Sequence, residues 1–174
     1  LDKMGKPHIE AYIKFSHRYF EYTGEINKEQ YLVPYLMSSH PGSTLDDAIE
    51  LALFLKKNHI RPEQVQDFYP TPGTISTCMF YTELDPYTME KVYVAKSEHD
   101  KALQRALLQY FNPKNQKLVE EALKRAKRYD LIGYDSKCLV KPTYSANQLN
   151  KNNRYQNKSS HKNNYSGKNR GKKR

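Results

Sequence analysis

Residues 35–74 read YLMSSHPGSTLDDAIELALFLKKNHIRPEQVQDFYPTPGT, and the fold turns on how this stretch is divided. The approach is YLVPYLMSS, residues 31–39, where Tyr31, Val33, Tyr35 and Met37 alternate with Leu32 and Leu36. Both faces are apolar, the pattern of a parallel strand covered on both sides. Pro34 cannot donate to a ladder, so the strand bulges there or lies at an edge. Gly42 permits a tight turn, and Thr44 with Asp47 three residues on forms a capping-box pattern. A helix follows over about 45–58, with Leu45, Ile49, Ala52 and Leu55 among its apolar positions and Asp46, Asp47, Glu50 and Lys57 on a polar side. Its acids stand near the start and its lysines near the end, which suits the helix dipole. After Pro62 a second strand, QVQDFY at 64–69, completes strand–helix–strand. That order makes the strands parallel through a right-handed crossover. The fold class is α/β.

Both strands end in a Pro-Gly turn, SSHPGST and YPTPGT. Pro70 and Pro72 push Tyr69 and Thr71 into extended geometry, and Gly73 then lets the chain turn. The product is a stiff shelf at the C-terminal edge of a parallel sheet, where α/β folds bind ligands. A strand-exit turn with no ligand has the same pattern.

On the N-terminal side, HIEAYIKFSHRYFEY (8–22) places Ile9, Tyr12, Ile13, Ser16, Tyr19 and Phe20 on one helical stripe. Pro7 stands in the first turn and Gly24 is the expected stop. On the C-terminal side, Asp85-Pro86 marks a turn and a short strand is expected near Val92–Ala95. Two helices then form a hairpin. Ser97 caps the first, with Asp100 three on and a stripe of Ala102, Leu103, Ala106, Leu107 and Tyr110. Asn112 and Pro113 open the second, where Leu118, Val119, Ala122, Leu123 and Ala126 recur at helical spacing. The hairpin ends near Gly133.

The net charge of +10 belongs to one end. Residues 1–140 hold 19 Lys and Arg against all 19 acids, so that part is neutral; the remaining ten bases fall in 141–174 with no acid. There apolar content collapses into Asn, Lys, Ser and Gly, and the segment reads as disordered. The chain has no long apolar run and no signal-peptide pattern, so a cytoplasmic location without membrane contact is expected. It begins with Leu1, which points to a fragment or a processed product. Its two cysteines, Cys78 and Cys138, form no CxxC, lack a nearby His at metal-ligand spacing, and read as small apolar fillers.

The run from YLVPYLMSSHPGST through DFYPTPGTISTCMFYTELDPYT, followed by KALQRALLQYFNPKNQKLVEEALKRAKRYDLIG, closely resembles the C-terminal part of the YgiQ-type radical SAM proteins. The likeness is co-linear from Met4 to Val140. It implies that residues 1–74 are the last part of a (β/α) barrel, an incomplete parallel remnant. Residues 75–140 would be a mainly helical, family-specific extension, and 141–174 a disordered Lys/Asn-rich tail. In the intact family protein, an enzyme, a C-x3-C-x2-C motif would hold a [4Fe–4S] cluster that binds S-adenosylmethionine. Two cysteines cannot supply three thiolates. This chain alone is therefore expected to hold no cofactor and to perform no radical chemistry, and its first partner is the missing N-terminal portion. Cut from that portion, residues 31–69 should expose an edge and an apolar face unless helices cover it.

The positions matching the cavity-lining loops of such barrels are Ser38, Ser39, His40 and Gly42 in one loop and Tyr69, Thr71, Gly73 and Thr74 in the other. His40 binds substrate or shuttles a proton on the functional reading; otherwise it is a loop histidine bonded to backbone. Asp67 points into a polar barrel lumen or pairs with a missing Arg or Lys. Gln104, Arg105 and Gln109 read as a solvated helix face. A competing reading makes the chain a nucleic-acid-associated module. Lys151, Arg154, Lys158, Lys162, Lys168, Arg170, Lys172, Lys173 and Arg174 would meet phosphates, with Tyr155 and Tyr165 stacking on bases. A third makes 75–140 an independent interaction domain.

Overall fold

The computed structural model describes residues 1–143, which form five α-helices and a two-stranded parallel sheet. The tail expected to be disordered, 141–174, lies outside the described residues from 144 onward, as do the nucleic-acid positions. The order is α1 (Ile9–Glu25), β1 (Met37–Ser38), α2 (Leu45–Lys57), β2 (Gln66–Asp67), α3 (Ile75–Thr82), α4 (Glu98–Leu108) and α5 (Gln116–Arg125). The strands pair parallel, Met37 with Gln66 and Ser38 with Asp67. The strand–helix–strand unit is therefore present, and the fold is mixed α and β.

Its helices start where the capping chemistry lies. Thr44 accepts from the Asp47 N–H at 3.2 Å while the Asp47 carboxylate accepts from the Thr44 N–H at 2.8 Å, a reciprocal box that opens α2. Ser97 accepts from the Asp100 N–H at 3.0 Å to open α4. Pro113 lies in a single 3-10 turn, capped by Asn112, and α5 follows from it. The helices α2, α4 and α5 share the core. Ile49, Ala52, Leu107, Val119, Ala122 and Leu123 are wholly buried. Each buried Leu, Ile or Val side chain contributes about 1.5–3 kcal/mol. The chain then folds back over this core. Leu139 N–H donates to the Leu131 carbonyl at 2.8 Å, and Gly133 N–H to the Val140 carbonyl at 2.9 Å, seating Leu131, Leu139 and Val140 against it.

Several expectations need correction. The strand expected at 31–39 is ordered as ladder only at Met37–Ser38, and that at 64–69 only at Gln66–Asp67. Before Met37 the Leu36 carbonyl accepts from the Gln66 N–H at 3.2 Å, the ladder goes no further among the described residues, and Pro34 brings no N–H. Nor are both faces covered: Leu32 and Leu36 are half-buried, whereas Tyr31, Val33 and Tyr35 are 72%, 88% and 70% exposed. That side of the stretch is uncovered among the described residues. The helix expected to stop at Gly24 runs through it to Glu25, and Pro7 precedes the N-cap residue His8. No regular strand forms at Val92–Ala95. Instead residues 83–92 make a tight loop, with an antiparallel bridge from Leu84 to Lys91 and the Asp85 carboxylate accepting from the Tyr87 N–H at 3.0 Å. Helix α3 had no counterpart in the sequence reading. Cys138 is buried as expected, but Cys78 is exposed on α3, because Met79 takes that helix's inward position.

Candidate functional site

Parallel pairing sends both Pro-Gly loops out from one edge of the sheet. The Phe68 N–H donates to the Ser38 carbonyl at 2.9 Å, which holds the two strand ends level. Beyond them the loops differ. Ser38, Ser39 and His40 are buried, at 3%, 2% and 7% exposure. Tyr69 is 81% exposed, and Thr71, Gly73 and Thr74 are exposed as well.

The buried loop is held by α4. Ser39 has a positive φ of 60°, a conformation that costs a non-glycine residue about 1–3 kcal/mol. Its N–H donates to Gln104 Oε1 at 3.0 Å, and Gln104 Nε2 donates to the Ser43 carbonyl at 2.9 Å, so one buried amide clamps the loop at two points. Ser39 Oγ is buried and has no hydrogen-bond partner among the described residues. Gly42 has a φ of 87°, its N–H donates to the Tyr93 carbonyl at 2.7 Å, and an added Cβ would meet Lys3 Cγ at 2.8 Å. Glycine is required there on both counts.

Asp67 sits at the end of β2. Ser38 Oγ donates to its Oδ1 at 2.5 Å, and the Arg105 guanidinium pairs with its Oδ2. The partner of Asp67 is thus in this chain and is not a missing residue. Gln104 and Arg105 are not a bare solvated face: Gln104 is 1% exposed, and Arg105 reaches the sheet edge. Helical spacing marked both as polar, and no local signal tells a polar side chain on the solvent side from one aimed at a loop 65 residues earlier.

The exposed loop begins α3. Thr74 is its N-cap, accepting from the Thr77 N–H at 3.2 Å, and its own Oγ1 donates to the Thr71 carbonyl at 3.0 Å. Gly73 turns with a φ of 78°. The motif Gly-Thr-x-x-Thr was the available signal for this helix start.

His40 joins the two loops. Its Nδ1 lies 2.8 Å from the Pro41 carbonyl and its Nε2 lies 2.8 Å from Ser76 Oγ on α3. A carbonyl only accepts, so Nδ1 carries a proton. Burial holds the imidazole pKa below its ordinary value of 6.5, with the Pro41 carbonyl partly opposing that shift. The ring is therefore neutral at pH 7, Nε2 has a free lone pair, and Ser76 donates to it. Phe68 packs edge-on against the imidazole at 5.1 Å between ring centroids and lies 5.7 Å from Phe80. His40 has the backbone bond of one sequence reading, and a side-chain partner that reading did not include.

Another hollow lies away from these loops. It is a trough of about 1040 Å³ between α1, residues 31–36 and residues 58–66, lined by Tyr12, Ile13, Phe20, Val33 and Phe54 among others. None of the eight loop positions named above lines it. Among the described residues no group of His, Cys, Asp and Glu is arranged to hold a metal ion, and no helix is long and apolar enough to cross a membrane. The two thiols do not make a cluster site: Cys78 is exposed on α3, while Cys138 Sγ is directed at the Asp130 carbonyl at 3.6 Å.

The chain is similar to UPF0313 proteins, the YgiQ-type family. A UPF0313 protein of Clostridium perfringens is 54% identical over 90% of this chain, covering 23% of the relative. One from Methanocella arvoryzae is 54% identical over 83% of this chain and 24% of its own length. One from Clostridium botulinum is 55% identical over 80% of this chain and 22% of its own length. The chain thus spans about a quarter of the length of the curated relatives it matches. No solved structure matches it. Residues 63–174 match the model of the domain of unknown function DUF3362, and the chain belongs to that family.

Proposed function

We propose that this chain is the C-terminal part of a YgiQ-type radical SAM protein, and that its two sheet-edge loops close one side of the cavity where the intact protein binds cofactor and substrate. The observation carrying this reading is the mismatch in coverage: 90% of this chain aligns with 23% of its relative. The structure fits it in two respects. The parallel strands deliver both loops to one edge, as successive barrel strands would. The uncovered Tyr31, Val33 and Tyr35, beside the apolar trough, present a face suited to the preceding part of a longer chain. In that protein a [4Fe–4S] cluster would supply the electron that cleaves S-adenosylmethionine, and its thiolate ligands would come from outside residues 1–174. The contribution of this chain is shape and polar groups at the rim.

The test begins with the coding sequence upstream. It should encode a C-x3-C-x2-C motif, and its absence would remove the enzyme reading. The extended protein, reconstituted anaerobically with iron and sulfide, should release 5′-deoxyadenosine from S-adenosylmethionine under reduction.

The second reading rests on the charge partition. Ten bases and no acid in 141–174 would draw polyanions, and binding should weaken steeply with salt. Deleting 141–174 should abolish retention on single-stranded RNA; unchanged retention would remove the idea.

A further inference from the structure

We propose that Ser76 and His40 form a nucleophilic dyad at the sheet edge, with Ser76 Oγ attacking an electrophilic carbonyl or phosphorus centre and His40 Nε2 taking its proton. This goes beyond the barrel reading and does not depend on it, since both side chains and their supports lie in this chain.

The geometry has the parts such a dyad needs. The hydroxyl–imidazole separation of 2.8 Å is within range for proton transfer. The third element, which orients the base, is the Pro41 carbonyl at 2.8 Å from Nδ1. It fixes the tautomer that leaves Nε2 as acceptor, and it accepts from both the neutral ring and the imidazolium formed on attack. Phe68 packs against the ring edge-on and limits its rotation. The base is buried at 7% exposure, while Ser76 is only half-buried on the first turn of α3, so an incoming group meets the hydroxyl before the imidazole.

The probe is a fluorophosphonate ester applied to the whole 174-residue chain at pH 7.5. The Ser76 oxygen–phosphorus bond forms, the phosphorus–fluorine bond breaks, fluoride leaves, and the serine proton passes to His40. Peptide mass mapping should find the phosphonyl group on Ser76, and H40Q should slow the labelling by about 10²–10⁴-fold. An unlabelled Ser76, or equal rates in H40Q and the parent chain, would overturn the proposal. Circular dichroism checks that H40Q remains folded. Should it not, S76C with iodoacetamide gives the second test. The introduced thiol should be alkylated at least about tenfold faster than the exposed Cys78 of the same molecule, because a neighbouring base raises the thiolate fraction. Alkylation no faster than at Cys78 would refute the dyad.

Discussion

Helices α1 and α2 carry the same kind of apolar stripe and meet opposite fates. In α2, Ile49, Ala52 and Leu55 are at most 1% exposed, and Ile49 and Ala52 belong to the core shared with α4 and α5. In α1, Ile9, Tyr12, Ile13, Ser16 and Tyr19 are half-buried, Phe20 is 52% exposed, and the buried residue is Thr23. The 31–36 stretch beside α1 shares its condition. A periodic stripe therefore states that a face needs a cover, and it leaves open whether the cover lies in the same 174 residues. For α2 it does. For α1 and residues 31–36 much of the cover is absent among the described residues.

This contrast can be attacked first at its strong side. Leu107→Ala removes a wholly buried side chain and should cost about 2–5 kcal/mol in a urea unfolding experiment. A loss below about 1 kcal/mol would mean that the α2–α4–α5 core is not the stable part. Gln104→Ala leaves the Ser39 N–H and the Ser43 carbonyl without their partner, and should cost about 1–3 kcal/mol by the same measurement. An effect no larger than that of an exposed substitution would show that α4 does not hold the loop. Thr44→Ala removes half of the capping box and should cost about 1 kcal/mol.

The buried loop also answers to pH. His40 has a folded pKa below its unfolded value of 6.5, so below that pH the unfolded chain binds the extra proton. Stability should be complete above 6.5, decline as the pH falls through it, and level off below the folded pKa. H40Q should flatten this segment of the stability–pH curve. A decline of equal size in H40Q would assign it to other groups. Carboxylates whose pKa values are lowered act in a more acidic window: Asp85 through its bond from Lys3, Asp130 through Arg128, and Glu121 through His99.

The smallest effect is expected on the open side. Phe20→Ala should change the stability of this chain by no more than about 0.5 kcal/mol. Val33→Asp should be equally mild here and damaging in the longer protein, where that face would be covered. Equal tolerance in both would dissolve the contrast and weaken the case for a missing neighbour.

Much of this could be read locally. Thr44 with Asp47, and Ser97 with Asp100, were legible as helix starts because capping is a bond between residues three apart. The strand–helix–strand order implied parallel pairing, because the intervening helix carries the chain back to the end where the first strand began. Of the candidate site, Ser38, Ser39 and His40 were marked by their place at a strand exit. What they touch was not legible. Gln104 reaches Ser39 across 65 residues and Ser76 reaches His40 across 36, while Arg105 reaches Asp67 across 38. Gln104 and Arg105 looked from their neighbours like ordinary polar surface residues, and nothing near Ser76 marked it.

The amino-acid order alone settled where α2 and α4 begin, that two strands run parallel, and that the excess charge is confined to one end. These follow from chemistry within a few residues or from simple counting. The tertiary structure decided which apolar faces find a cover, that Asp67 pairs with Arg105, and that His40 meets Ser76. Those are choices among distant partners, made by packing the whole core at once, and no short window of sequence contains them.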